Sequence, residues 1–329
     1  MSGRHFVNQH GIHIHVGGRK RPKETRETHP HLFRALRAIS LPTAPDFDNT
    51  ALAKTALSDI LGNDSLGDCT AAGAGHIIDS VTADAEAAAV IARDQCIAFY
   101  SQSTGYNPAD PSTDQGGDEI TVCTSWQQKG YDGKGGHAIA GWAALTDEQL
   151  ADAAFVKSVA WLFPLYFGIE LADGWTQISG DGFVWDVGNP PDPNDGHCVV
   201  GLGGNSKGIL IDSWGFVGTI TYAAIAQFCA SKAGGNLFAI LTPELIDKAK
   251  NLAPSGFDYD QLLADLQDMG GNAPAAPPAP PVVPTGPATL ANAQAWAAAG
   301  IQGGDPLQSQ ADAIANANAG LAKYWPSGS

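Results

Sequence analysis

In Leu66-Gly67-Asp68-Cys69-Thr70-Ala71-Ala72, a cysteine stands at the start of an alanine-rich run that predicts a helix. Two further motifs follow far downstream, Gly196-His197-Cys198-Val199-Val200 and Ile211-Asp212-Ser213-Trp214-Gly215. A thiolate is a competent nucleophile only where its pKa is lowered, and a helix N-terminus and a nearby imidazolium both lower it. The order cysteine, histidine, aspartate therefore indicates a thiol hydrolase.

The histidine and the aspartate lie on two predicted strands joined by the turn sequence Gly203-Gly204-Asn205-Ser206-Lys207-Gly208. A hairpin closed through a two-residue Gly204-Asn205 turn sets His197 directly opposite Asp212. Facing residues of a hairpin have Cβ atoms about 4.5–5.5 Å apart, within reach of a carboxylate–imidazole hydrogen bond. We therefore predict that His197 is the general base and that Asp212 orients its ring and stabilises the imidazolium.

The oxyanion that develops during acyl transfer needs two hydrogen-bond donors. The backbone N–H of Cys69 at the helix start is one natural donor. Asn63, in Gly62-Asn63-Asp64-Ser65, lies six residues before the cysteine and carries the only side-chain amide of that loop. We assign it as the second donor, and we expect Trp214 to form a wall of the site.

These motifs resemble those of the papain-like cysteine peptidase superfamily. Its members carry an oxyanion-hole glutamine six residues before the nucleophile, a Gly-His-Ala-Val type strand and an Asn-Ser-Trp-Gly strand. The matching places in this chain hold Asn63, Gly196-His197-Cys198-Val199 and Asp212-Ser213-Trp214-Gly215. Leu41-Pro42 through Asp46-Phe47 is also similar to the Leu-Pro-x-x-x-Asp-Trp opening of mature papain-like domains. The resemblance covers residues 41–241.

The chain departs from the family pattern around the nucleophile and at two site positions. Thr70 follows the cysteine in place of tryptophan, the usual Cys-Gly-Ser before it is absent, Asn63 replaces glutamine, and Asp212 replaces asparagine. The pattern is closer to divergent papain-like proteins of bacteria and their phages than to lysosomal enzymes. Residues 1–40 occupy the place of a propeptide, but they are shorter and poorer in helix signals than the usual inhibitory one.

The expected fold class is α+β, with an N-terminal helical half whose nucleophile helix packs on a C-terminal antiparallel sheet or barrel. The apolar run from Thr70 to about Tyr100 predicts one long helix. Further helices are predicted at 122–129 and at 146–159, the second started by the capping pattern Thr146-Asp147-Glu148-Gln149. The strand-rich half begins at 162–170, and strands are predicted at 183–187, 197–202, 208–213, 217–221 and 236–241.

Composition shifts divide the chain into a basic extended arm, a body, and a C-terminal region joined by a linker. The predicted pieces are the arm at 1–40, the papain-like body at 41–241, helices at 242–272, a proline-rich linker at 273–288 and a helical tail at 289–329. Apolar residues recur at helical spacing over 305–325, so this tail helix docks either on its own domain or on a partner. The arm carries an alternating strand candidate at Ile12–Val16 and a short helix candidate around His31–Leu36.

The net charge of -16 conceals a basic N-terminus, because residues 1–37 hold eight basic residues against two acidic ones. Such an arm binds nucleic acid, lies on its own body, or contacts a neighbouring subunit or assembly partner. The absence of interleaved aromatic residues and of a nucleic-acid fold signature disfavours direct nucleic-acid binding. No apolar run is long enough to span a membrane, and we see no signal-peptide pattern.

The remaining cysteines and histidines give no second site. The five cysteines are widely spaced without a CxxC pair, so no disulfide framework is expected. His76, two helical turns after Cys69, is expected to be a packed helix residue rather than the base. The arm is rich in histidine, but no carboxylate or cysteine completes a metal site, so we expect neither metal nor cofactor.

The predicted function is cleavage of peptide bonds by a Cys69–His197–Asp212 triad through a thioester acyl-enzyme. Proteins, peptidoglycan cross-links and acyl transfer all suit this chemistry. Compact cell-wall hydrolases fit less well because they place cysteine and histidine much closer in sequence. The alternative is a catalytically weak or inactive papain-like scaffold, fastened by its arm and tail into a phage particle or another assembly. The expected location is soluble, either cytoplasmic or virion-associated.

Overall fold

The computed structural model describes residues 3–22, 41, 43–83, 88–243, 245, 264, 265 and 268. The chain divides into two units, residues 1–274 and 275–329, and every described residue belongs to the first. The helix predicted around His31–Leu36, the linker at 273–288 and the tail at 289–329 lie outside the described residues, as do most of the helices predicted at 242–272.

The helices fall mostly in the first half of the chain, and several begin at a side-chain cap. Asp118 accepts from the N–H of Thr121 at 2.9 Å, and Thr221 accepts from the N–H of Ala224 at 3.1 Å. The helices are α1 (Thr50–Leu57), α2 (Cys69–Thr82), α3 (Arg93–Thr104), α4 (Glu119–Lys129), α5 (Asp147–Leu150), α6 (Ala153–Leu162) and α7 (Tyr222–Phe228).

The strands form a two-stranded N-terminal hairpin and an eight-stranded sheet. In the large sheet the order is β4-β10-β5-β7-β8-β9-β6, with β3 pairing on β7; the neighbours are antiparallel except β6 and β9. The strands are β1 (Arg4–Val7), β2 (His13–Val16), β3 (Phe47–Asp48), β4 (Gly141–Ala144), β5 (Leu165–Ala172), β6 (Val184–Trp185), β7 (Pro191–Gly204), β8 (Gly208–Ser213), β9 (Phe216–Thr221) and β10 (Asn236–Leu241).

The α+β class predicted from the sequence is confirmed, since helices come first and a mainly antiparallel sheet follows. The strands predicted between 183 and 241 all form, whereas β4 was not predicted. Within the described residues, no helix combines the length and the apolar character needed to cross a membrane.

The single helix predicted over 70–100 is wrong, because α2 ends at Thr82 and α3 begins at Arg93. Polar side chains of α2 bind the backbone of the connection. Oγ1 of Thr82 accepts from the N–H of Ala89 at 3.0 Å, and Oδ1 of Asp79 accepts from the N–H of Ile91 at 2.8 Å. These side-chain acceptors fix the non-helical backbone at Ala89 and Ile91, and Ile91 is buried.

The helix predicted over 146–159 is also divided in two. The capping box at Thr146 forms as predicted and starts α5. Asp152 then acts as a second N-cap, accepting from the N–H groups of Ala154 and Phe155, each at 3.0 Å. The cap restarts the chain as α6, which packs in the core against the sheet.

Two hydrophobic clusters lie on opposite faces of the central strands. Successive side chains of a strand point to opposite faces. On β7, Cys198 and Val200 pack with the helix α2, whereas Val199 packs in the cluster that contains α6 and α7. His197 shares the face of Val199, because the two are separated by one residue.

Residues 3–22, the N-terminal segment, pack on the body rather than extending from it. Ile14 and Val16 of β2 are fully buried in the same cluster as β5. Arg4 pairs with Asp195, and Arg19 pairs with Glu119. The basic charge of this part of the predicted arm is therefore directed at the chain's own acidic body.

Truncating a buried residue of the N-terminal segment is expected to destabilise the whole protein. Ile14→Ala removes a fully buried side chain, so the free energy of unfolding falls by about 2–5 kcal/mol. Val7→Ala, at a side chain 52% exposed on the same hairpin, changes it by less than about 0.5 kcal/mol. Urea unfolding measures both values. Equal, negligible effects would show that the segment is a free arm.

Candidate active site

Cys69 is the first residue of α2 and is almost completely buried, with 2% of its surface exposed. Burial raises the pKa of its thiol above the ordinary value, and the backbone amide of Cys198 partly opposes that by donating to the sulfur. The negative charges of Asp68 and Glu119 raise the pKa further. The cysteine is therefore a neutral thiol in this arrangement.

His197 lies on β7 and is held by two neighbours from the β8–β9 turn region. Its Nε2 lies 3.0 Å from Oγ of Ser213, and its ring stacks on Trp214 with centroids 4.2 Å apart and planes 10° apart. Burial, together with a smaller contribution from the nearby His15, lowers the pKa of His197 to about 3. Nδ1 finds no hydrogen-bond partner in the described part of the chain. The imidazole is neutral, with one ring nitrogen oriented and the other unengaged.

Trp214 takes an uncommon backbone conformation to reach the histidine. Its φ is 50° and that of Gly215 is 80°, so both residues of the tight turn between β8 and β9 are left-handed. A bulky residue rarely adopts this region. The turn directs the indole onto the imidazole, so the structure brings Trp214 to the position expected of a site wall.

The predicted pairing of His197 with Asp212 is wrong in register. Asp212 lies opposite Val200, three positions further along β7. The turn closes around Ser206 and Lys207, because Oδ1 of Asn205 accepts from the N–H of Lys207 at 2.8 Å. An irregularity between Gly201 and Gly203 shifts the register once more.

The shift by an odd number of residues turns Asp212 to the other face of the sheet. Ser213 comes to the face of His197, and Asp212 faces α2 instead. There Oδ2 of Asp212 lies 3.5 Å from Nε2 of His76, whose Nδ1 lies 3.4 Å from Oδ2 of Asp79. His76 is buried as predicted, but it is an ion-pair partner of the predicted triad aspartate.

His76 and Asp212 form a buried pair in which each residue changes the pKa of the other. Burial opposes the positive charge of His76, but the carboxylates of Asp212 and Asp79 together raise its pKa above the ordinary value. Burial raises the pKa of Asp212 to about 7, and His76 partly opposes this shift. The pair as a whole therefore holds a proton in the folded protein that the unfolded chain releases more easily.

Asn63 lies beside the nucleophile, as the sequence predicts. One N–H of its amide donates to the carbonyl of Leu66 at 3.1 Å. A hydrogen bond from Asn63 also lowers the pKa of the buried Asp68, although burial keeps that pKa well above the ordinary value. The role of Asn63 as an oxyanion donor stays a prediction.

The predicted site residues meet around one small cavity of about 20 Å³, room for about one water molecule. The lining includes side chains from α2, β7 and β8. Among its members are Asn63, Cys69, His76, His197, Asp212, Ser213 and Trp214.

A stretch of the N-terminal segment, Gly17–Lys20, lies between Gly117 and Gly196, beside this cavity. The N–H of Gly17 donates to the carbonyl of Gly196 at 2.9 Å, and the N–H of Lys20 donates to the carbonyl of Gly117 at 2.8 Å. The N–H of Gly117 in turn donates to the carbonyl of Gly18 at 2.9 Å. These bonds hold the stretch as a peptide strand.

We call the groove bounded by Gly67, Gly117 and Gly196 the cleft. Gly67 lies two residues before Cys69, and Gly196 directly precedes His197. The stretch Gly17–Lys20 lies in this cleft, where a Cβ added to Gly18 would come within 2.6 Å of Cα of Gly67. The cleft beside the cysteine and the histidine therefore holds a peptide main chain.

Sequence reasoning missed Ser213 and the occupancy of the cleft by Gly17–Lys20. Ser213 stands inside the quoted Asp-Ser-Trp-Gly motif. A predicted hairpin register shifted by an odd number of residues would have placed it on the face of His197. No local sequence signal indicates where Gly17–Lys20 binds. The described residues hold no group of three or more histidine, cysteine, aspartate or glutamate side chains placed to bind a metal ion.

No family model and no curated protein matches this sequence. Among solved structures, it is similar to xylellain, a cysteine protease from Xylella fastidiosa, with TM-score 0.41 and 14% identity over 54% of this chain and 80% of that one. It is similar to digestive procathepsin L2 proteinase from Tenebrio molitor larval midgut, with TM-score 0.49 and 15% identity over 73% and 84%. The Carica candamarcensis cysteine protease CMS1MS2 in complex with E-64 gives TM-score 0.42 and 14% identity over 61% and 99%.

Stability is expected to fall as pH rises, because of Asp212. The unfolded chain releases the Asp212 proton at about pH 4, whereas the folded protein keeps it up to about pH 7. The free energy of unfolding therefore falls as pH rises between these two values. The raised pKa of His76 acts in the same direction, since its stabilisation is lost as pH rises through the folded value. Asp212→Asn should reduce the loss between pH 5 and pH 8 by on the order of 2 kcal/mol.

Urea unfolding at pH 5, 6, 7 and 8 measures this effect. Asp46→Asn is the matched control, because Asp46 is exposed and pairs with Lys157 at the surface. Identical pH slopes in wild type and Asp212→Asn would contradict the buried pair.

Proposed function

We propose that this chain is a papain-like thiol hydrolase that cleaves peptide bonds with Cys69 as nucleophile and His197 as general base. One observation carries the proposal: the cysteine at the start of α2 and the histidine of β7 line one cavity, beside a cleft that holds a peptide main chain. The likeness of the three sequence motifs to the papain-like superfamily supports the same conclusion.

In the proposed reaction, Sγ of Cys69 attacks the carbonyl carbon of the scissile peptide bond and gives its proton to Nδ1 of His197. The histidine passes that proton to the leaving amine as the carbon–nitrogen bond breaks, which leaves a thioester on the cysteine. Water, deprotonated by His197, then attacks the thioester and releases a carboxylate and the thiol. We assign Nδ1 as the basic nitrogen, with the N–H of Nε2 donating to Oγ of Ser213 in the neutral ring.

Burial keeps both reacting groups neutral while Gly17–Lys20 lies in the cleft. Desolvation raises the pKa of Cys69 and lowers that of His197, so proton transfer to form the ion pair is unfavourable there. Displacement of the stretch by a substrate admits water and polar peptide groups. Both pKa values then move toward their ordinary range, and the thiolate becomes accessible.

Two residues are candidates for the side chain that orients His197. Ser213 contacts the imidazole directly, whereas Asp212, predicted for this role, reaches His76. We propose that Ser213 orients His197, with Trp214 shielding that contact from solvent. The backbone N–H of Cys69 and the amide of Asn63, which must first release its bond to Leu66 or Asp68, are the proposed oxyanion donors.

The bacterial or phage type and a virion location stay proposals resting on sequence likeness. Attachment to an assembly partner through the rest of the arm, residues 23–37, or through the tail helix at 305–325 also stays a prediction, because both ranges lie outside the described residues.

Cys69→Ala is expected to abolish hydrolysis of a fluorescence-quenched peptide library. Loss of the nucleophile prevents formation of the thioester. On the wild-type protein, intact-protein mass spectrometry should detect this thioester as an acyl adduct. Cys229→Ala is the matched control, because Cys229 is a buried cysteine in the other hydrophobic cluster. Turnover that survives in Cys69→Ala would overturn the proposal, and inert wild type would favour the scaffold alternative.

Ser213→Ala is expected to lower kcat about 10- to 100-fold, because the imidazole loses the contact that orients it. Asp212→Asn should lower kcat by less than about 5-fold, and Ser213→Thr, which keeps the hydroxyl, should retain most activity. Steady-state kinetics on one cleaved peptide gives these values. A larger loss in Asp212→Asn than in Ser213→Ala would restore the aspartate to the predicted triad.

A further inference from the structure

The cleft lies close against the main chain of Gly17–Lys20 and has room for a side chain at one position, Arg19. A Cβ added to Gly196 would come within 2.5 Å of the carbonyl oxygen of Arg19, and one added to Gly116 would overlap the carbonyl of Gly18. Glycine at these positions lets the two backbones approach closely. Within Gly17–Lys20, Arg19 extends its side chain into the body.

The Arg19 side chain is completely enclosed, and each of its three nitrogens has an acceptor. Nε donates to Oε1 of Glu119 at 2.8 Å, and Nη1 donates to the carbonyl of Gly234 at 2.7 Å. With the amide of Asn236 oriented to satisfy both of its atoms, its oxygen accepts from Nη2 at 2.9 Å. The side chains of Arg19 and Glu119 are both 0% exposed.

We call Glu119, Gly168, Gly234 and Asn236 the arginine pocket. Gly168 provides its space, since a Cβ there would overlap the carboxylate of Glu119. Three acceptors spread around a plane match a guanidinium, whereas an ammonium is a compact point charge without that planar fork. A neutral side chain would leave a fully buried carboxylate without a countercharge.

The other arginine pairs of the N-terminal segment differ from this one. Arg4 and Arg21 pair with Asp195 and Glu170, but their side chains are 60% and 56% exposed. Exposed pairs of this kind contribute little. In addition, Oε2 of Glu119 is buried without a hydrogen-bond partner among the described residues, so the pocket keeps an unused acceptor beside its occupant.

We propose that the arginine pocket recognises an arginine side chain of the peptide substrate, and that Arg19 fills it here as an intramolecular occupant of the cleft. The inference rests on the proposed function, because it names the substrate class of the same cleft. A substrate must then displace Gly17–Lys20, and the main-chain bonds at Gly117 and Gly196 are the ones it takes over.

The test compares arginine with citrulline, which has the same shape but no charge. Fluorescence-quenched peptides carry a single arginine at successive positions, each with a citrulline twin, and kcat/KM is measured on Arg19→Gln and on wild type. Replacement of arginine by citrulline at one position should lower kcat/KM at least about 30-fold. Glu119→Gln should reduce that ratio to below about 3-fold.

Glu170→Gln is the matched control, because Glu170 pairs with Arg21, whose side chain is 56% exposed, rather than with Arg19. It should leave the arginine-to-citrulline ratio unchanged. Circular dichroism checks the fold of each variant, and wild type alone gives the ratio should Arg19→Gln not fold. Equal kcat/KM for every arginine and citrulline twin would overturn the inference while leaving the proposed function intact.

Binding separates the two proposals when no hydrolysis is seen. Fluorescence anisotropy of the same peptides, measured on full-length Cys69→Ala/Arg19→Gln, should show at least about 30-fold tighter binding of one arginine peptide than of its twin. Selective binding by this variant, together with no turnover of the same peptides by wild type, would support the pocket and contradict the proposed function. Equal binding of both twins would overturn the inference.

Discussion

The close packing of α2 against β7 determines where the residues of the candidate site lie. Gly73 permits it, since a Cβ there would come within 3.0 Å of the Tyr166 ring and 3.2 Å of Val200. The hydroxyl of Tyr166 donates to the carbonyl of Thr70 at 2.5 Å and fixes the first turn of the helix. This contact presses the start of the helix, and with it Cys69, against β7, the strand that carries His197, and both residues line the same cavity.

The same burial that assembles the site also suppresses its charge. A cysteine and a histidine taken out of water both favour their neutral forms. We propose that the pair stays unreactive while Gly17–Lys20 fills the cleft. The enclosed ion pair of Arg19 and Glu119 anchors that stretch. Access to the cleft and activation of the thiol are therefore one event in this account, because water and substrate enter together.

The sequence predicted which residues line the cavity better than it predicted how they pair across the strands. Cys69 and His197 stand in local motifs, and alternating strands such as β8 follow from their own pattern. The partner of the histidine depends on a hairpin register, which the Asn205 turn and a bulge near Gly201 changed by three residues. The enclosure of Arg19 depends on contacts between residues a hundred positions apart, which no local pattern encodes.

We propose that Cys69 and His197 form one reaction centre beneath the occupied cleft. The rate of iodoacetamide alkylation at each cysteine, resolved by peptide mass spectrometry from pH 5 to pH 9, tests this proposal. In Arg19→Gln, Cys69 should react faster than the other four cysteines below pH 8, and adding His197→Ala should slow it at least about 10-fold. Alkylation of Cys69 at the rate of the other cysteines, unchanged by His197→Ala, would contradict the account.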